Sequence, residues 1–229
     1  STNNTDGITT YEWVNNNTAT GLDASGTGNI PSFIGAAGTS PEVSTITVTP
    51  TYTNNGEECE GPSFTFSITV NPTAQVNEVA SQVLCNNEST DAINFSTENS
   101  GGTTTYTWTN NNTAINLAAS GIGNIPSFTA TAGTASETAT IIVTPTFTND
   151  GISCEGPTET FTIIVNPTAQ VNDVPSQVVC NGQETDEVVF STNNTDGITT
   201  YEWVNNNTAT GLDASGTGNI PSFIGAAGT

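Results

Sequence analysis

TATIIVTPTFT, residues 138–148, alternates threonine with mostly apolar residues. Successive side chains of a strand point to opposite faces, so this pattern places one face on a core and the other in water. STITVTPTYT at Ser44–Thr53 has the same form, with Thr at 45, 47, 49, 51 and 53. Asn149-Asp150-Gly151 follows the first run and reads as a hairpin turn, because Asp and Gly tolerate positive φ. Further strands are expected at Asp91–Thr97 (DAINFST), Thr103–Thr109 (TTTYTWT), Ile125–Thr131 and Phe161–Val165. No segment sustains the 3.6-residue apolar period of a helix. The fold class read from the chain is all-β.

The chain also repeats. GTGNIPSF stands at 26–33 and 216–223, and GIGNIPSF at 121–128. Trp13, Trp108 and Trp203 are 95 residues apart, as are Cys59 and Cys154, and Cys85 and Cys180. A 95-residue period is the size of a small domain, so tandem domains are expected. Residues 1–39 equal 191–229 at every position but match 96–134 at 26 of 39, which makes a 190-residue super-repeat of two related domains. VNPTAQVN recurs at 70–77 and 165–172, and its prolines suit a linker. Boundaries before Pro72 and Pro167 give the C-terminal part of a repeat at 1–71, a complete repeat at 72–166 and the N-terminal part of another at 167–229. The chain reads as a window on a longer array. Short strands with turn signals at this domain size imply antiparallel β-sandwiches of immunoglobulin-like type, strung into an extended rod. In the repeated phrase, Gly121 and Gly123 are expected to flank a turn, Pro126 to open a strand and Phe128 to face the core. No strand–GxGxxG–helix context makes these glycines a phosphate cradle.

The chain has 22 acidic residues and no Lys, Arg or His, a formal charge of −22. Nothing in it displaces counterions from phosphates, which excludes nucleic-acid binding of that kind, and nothing attracts it to anionic membranes. Ser-His-Asp triads, Schiff bases, Lys–Asn isopeptide crosslinks and the usual zinc sites are excluded likewise. A carboxylate pair remains conceivable, with Glu159 as a candidate. The acidic positions are poorly shared between repeats, however: Glu12 corresponds to Thr107 and Asp23 to Ala118. The chain is not expected to be an enzyme. Its charge is expected to keep an array soluble and unclumped.

Four cysteines allow three pairings. Cys85–Cys154 would staple the complete repeat; Cys59–Cys85 with Cys154–Cys180 would tie neighbours across the prolines. The first is preferred, because a domain normally completes its own core, and an oxidising compartment is expected. Glu57, Glu58 and Glu60 suggest at most a weak Ca²⁺ site, with only Asp150 and Glu155 corresponding nearby; no other cofactor is expected. Sequons occur at Asn16, Asn87, Asn94 and Asn111. Tyr106 and Trp108 share a strand face and are read, with Phe128, as core, in preference to a sugar-stacking platform. The Thr ladder at 45–53 is read as a solvated strand face, in preference to an ordered array for ice or carbohydrate.

TYTWTNNNTAI, LAASGIGNIPSFTAT, ATIIVTPTFTNDGISCEGP and TFTIIVNPT resemble the PKD-like, immunoglobulin-like repeats of giant secreted surface adhesins of Bacteroidota. The resemblance covers essentially the whole repeat. It implies export by the type IX system, display on the cell surface and a part in adhesion, including filaments associated with gliding. Its expected partners are neighbouring repeats, other copies in a filament and, through other parts of the parent protein, an external surface or glycan.

Overall fold

The computed structural model describes residues 3–227. It is all-β. Among the described residues, the helical pieces are three single 3₁₀ turns at Thr18–Thr20, Thr113–Ile115 and Thr208–Thr210. No described helix is long and apolar enough to cross a membrane.

The first sheet holds β1 (Ile8–Asn15), β2 (Ser25–Thr27), β3 (Glu42–Asn54), β4 (Glu57–Glu60) and β5 (Phe64–Val70), in the order β2-β1-β3-β4, with β5 also on β3. The second holds β6 (Gln82–Cys85), β7 (Thr103–Asn110), β8 (Ser120–Ile122), β9 (Glu137–Asn149), β10 (Ile152–Glu155) and β11 (Glu159–Asn166), in the order β6-β11-β9-β7-β8, with β10 also on β9. β12 (Glu202–Val204) and β13 (Ser215–Thr217) pair by themselves. β6 and β11 run parallel, and the other ladders are antiparallel.

Alternation builds β9. Ala139, Ile141, Val143 and Phe147 point inward and are fully buried, while the threonines between them face out. Phe161, Ile163 and Val165 of β11 extend the same inner face. Pro145 breaks no ladder. It lies where β11 gives way to β10 along one edge of β9, and its carbonyl accepts from Gly156 N at 3.1 Å. Asp150 and Gly151, both at positive φ, close the β9–β10 hairpin.

The opposite layer differs from expectation. Segments 91–97 and 125–131 are not continuous strands; they meet at the single bridge Ile93–Ile125, and Ser89, just ahead of the first segment, bridges Thr129. Side chains supplement the few backbone bonds here. Phe95 N donates to Asn124 Oδ1, Phe128 N donates to Thr90 Oγ1, and Ser127 Oγ donates to the Thr90 carbonyl. Pro126 has no N–H to give. This layer carries Ile93, Phe95 and Ile125 onto the inner faces of β7, β9 and β11.

Candidate functional site: the joints between repeats

The aromatic positions are structural. Trp108 is buried in the main cluster, and Tyr106 and Phe128 pack against it while partly exposed. The Tyr106 ring also lies 5.4 Å from that of Phe95. Burial pushes the Tyr106 hydroxyl pKa up, and a hydrogen bond with Thr97 pulls it partly back. At 7 % exposure the Trp108 ring offers no face to a sugar. Gly121 lies across the ladder from it, within β8, and Gly123 takes positive φ while donating to the Tyr106 carbonyl.

The triplet Asn-Asn-Asn after each tryptophan has three tasks that sequence reading missed. Asn110 is buried and donates to the Leu117 carbonyl at 3.1 Å while accepting from Asn112 N. Asn111 Oδ1 accepts from Thr140 N. Asn112 caps the following 3₁₀ turn and donates to Glu137 Oε2 at 2.7 Å. Asn15, Asn16 and Asn17 do the same in the first repeat, with Leu22, Thr45 and Glu42. In a chain without cations, asparagine amides are among the donors that carboxylates find.

Two joints are built from matching residues 95 apart. At the first, Ser100 N donates to the Thr39 carbonyl at 2.9 Å, and Asn99 Nδ2 donates to the Thr73 carbonyl at 3.1 Å. At the second, Thr195 N donates to the Thr134 carbonyl at 2.9 Å, and Asn194 Nδ2 to the Thr168 carbonyl at 3.0 Å. The first joint adds Asn71 and Asn149, each donating its amide to the other residue. Pro72 and Ala74 are buried there. A Cβ on Gly156 would lie 1.8 Å from the Ala74 carbonyl oxygen, so only glycine lets the linker seat. Pro167 is half-buried.

The joints differ in one matched pair. Pro41, without an N–H, lies against Gly101, where a Cβ would meet its Cδ at 2.9 Å. At the corresponding positions Ser136 N donates to both carboxylate oxygens of Asp196, at 3.1 and 2.9 Å. A charge-assisted bond replaces a close apolar contact, and the two repeat types carry complementary ends.

The cysteine reading is corrected. All four are unpaired. Cys85 lies beside Asn166, next to the Glu137 end of β9, while Cys154 lies opposite Phe147, ten residues further along that strand. That separates them by roughly 30 Å at about 3.3 Å per residue, against the 4.4–6.8 Å or so that a disulfide needs. The alternative pairing fails too, since Cys59 lies opposite Tyr52, at the end of β3 away from Thr39 and Asn71. β4 alternates, sending Glu58 and Glu60 to one face and Glu57 to the other. Among the described residues no group of three or more Cys, Asp or Glu is placed to hold a metal ion. Glu159 starts β11, half-buried and opposite Val143. No protein-family model matches the chain, and no curated protein matches it.

Proposed function

We propose that this chain is a stalk segment of a large extracellular adhesin: tandem immunoglobulin-like domains in an extended rod that holds an adhesive part away from the cell surface. One observation carries the reading: the hydrogen bond across the first joint, Ser100 N to the Thr39 carbonyl, recurs at the second as Thr195 N to the Thr134 carbonyl. A linker whose Pro72 and Ala74 are buried favours a fixed relation between neighbours over a flexible tether. The absence of any cation supports a surface that resists clumping and trypsin. The resemblance to PKD-like repeats of Bacteroidota surface adhesins adds type IX export and gliding filaments to the proposal. Its partners are then neighbouring repeats and copies, with no nucleic acid and no direct membrane contact. Electron microscopy of a chain of four complete repeats tests it. Rods lengthening by about 40 Å per repeat, from strands of 10–12 residues, are expected; compact or randomly bent particles refute it.

A second reading has its own observation. The register sets Thr103, Thr105 and Thr107 beside Thr148, Thr146 and Thr144, so one sheet face is a threonine array. Weak carbohydrate or ice binding by such faces, summed by avidity, would show as retention on a glycan array or an ice-affinity column.

A further inference from the structure

The residues that meet across the joints sort by repeat type. The first repeat carries Asp6 and Pro41; the second carries Gly101 and Ser136 at the corresponding positions; the third returns to Asp196, in a stretch identical to that around Asp6. The backbone bonds across the joints, Ser100 N to Thr39 and Thr195 N to Thr134, are common to both. The contact that differs is Pro41 on Gly101 at the first and Ser136 N on the Asp196 carboxylate at the second. The backbone differs with it. Gly101 takes φ +76°, whereas at the second joint the positive φ falls one residue later, at Gly197 (+72°), as it does at Gly7 (+81°) in the first repeat. An aspartate at 101 would have to adopt the left-handed region or move the turn, and its Cβ would meet Pro41 Cδ at 2.9 Å.

We propose, on the reading that the joints are seated, that this one pair selects the neighbour: each repeat type seats the other type and rejects its own. The partner for the Pro41 end is a repeat with glycine at the matching turn, and the partner for the Ser136 end is a repeat with aspartate there. Two repeats of the first type in succession would set the aspartate against a proline ring that has no N–H to donate. Two of the second type would leave Ser136 N, on a half-buried residue, facing a glycine without an acceptor. Specificity is the difference between the right and the wrong partner, and here both wrong pairings lose the contact that the right ones make. Alternation of the two types, seen in the chain as the 190-residue super-repeat, is then enforced by the joints themselves.

Hydrogen exchange at Thr195 N in the full chain tests this. Ser136→Pro sets the first type's proline against Asp196, and Asp196→Gly sets the second type's glycine against Ser136. Either change alone is expected to lower protection at Thr195 N on the order of tenfold, the loss of one charge-assisted bond. The double variant rebuilds the pair of the first joint, and its protection is expected to return close to that of the parent chain. Pro41→Ser, Gly101→Asp and their double variant repeat the cycle at Ser100 N, so one misfolded variant decides nothing. Single variants that leave protection unchanged, or double variants no better than the singles, overturn the proposal while the seated joint stands. A Thr195 N that exchanges freely in the parent chain overturns the proposal and the stalk reading together.

Discussion

Gly121 lies directly across the β7–β8 ladder from Trp108, and a Cβ on it would sit 2.2 Å from the indole Cζ2. The same relation joins Gly26 to Trp13 and Gly216 to Trp203. The glycine is required by the ring over it. Gly121→Ala is expected to destabilise the second repeat by about 1–3 kcal/mol, the usual cost of overpacking. Urea denaturation followed by tryptophan fluorescence measures it, and an unchanged midpoint contradicts the packing argument.

Asn110 is buried and bridges Leu117 and Asn112. Asn110→Ala strands the Leu117 carbonyl and is expected to cost about 1–3 kcal/mol. Asn111, exposed at its amide end, should cost less when replaced by Gln. Thermal melts of the two variants give the ranking.

The four cysteines are unpaired and three are exposed. A thiol-reactive chromophore is expected to titrate all four in the purified chain without denaturant. A non-reducing peptide map showing a Cys85–Cys154 link would require β9 to be broken.

Tyr106 gives a pH dependence at the alkaline end. Its folded pKa lies above the ordinary value of 10.0, because burial disfavours the phenolate. The neutral phenol's contribution is then complete below pH about 10 and is lost as pH rises through the folded value. Melting temperatures between pH 8 and 12 should fall above 10 in the native chain. The fall should be smaller in Tyr106→Phe.

The alternation at 138–148 and the 95-residue period made the sheet and the repetition legible, because both are properties of the chain in one dimension. The hairpin at Asp150-Gly151 was legible for the same reason. The segments 91–97 and 125–131 were misread as strands, since their apolar spacing is right while Thr90, Asn124 and Ser127 divert the backbone bonds. The cysteine pairing was misread because recurrence says which residues correspond but not at which end of β9 each one falls. The asparagine triplet's roles and the hydrogen bonds of the joint were invisible beforehand, although the prolines marked where the joint falls. Their bonds run to carbonyls and amides brought near only by the finished fold, and the triplet looked like a glycosylation signal at Asn16 and Asn111.

The joint variants follow from Gly156 and Asp196. Gly156→Ala should unseat Ala74 and loosen the first joint while leaving the second intact, and Asp196→Ala should do the reverse. Hydrogen exchange at Ser100 N and Thr195 N reports each joint separately.

The central claim is that successive repeats are held in one relation. Spin labels on exposed Thr65 and Thr107, with the native cysteines changed to serine, report the distance across the first joint by double electron–electron resonance. A single narrow distance distribution that broadens in Gly156→Ala is the predicted result. A broad distribution in the parent chain, unchanged by that substitution, would contradict the claim and leave the prolines as mere hinges.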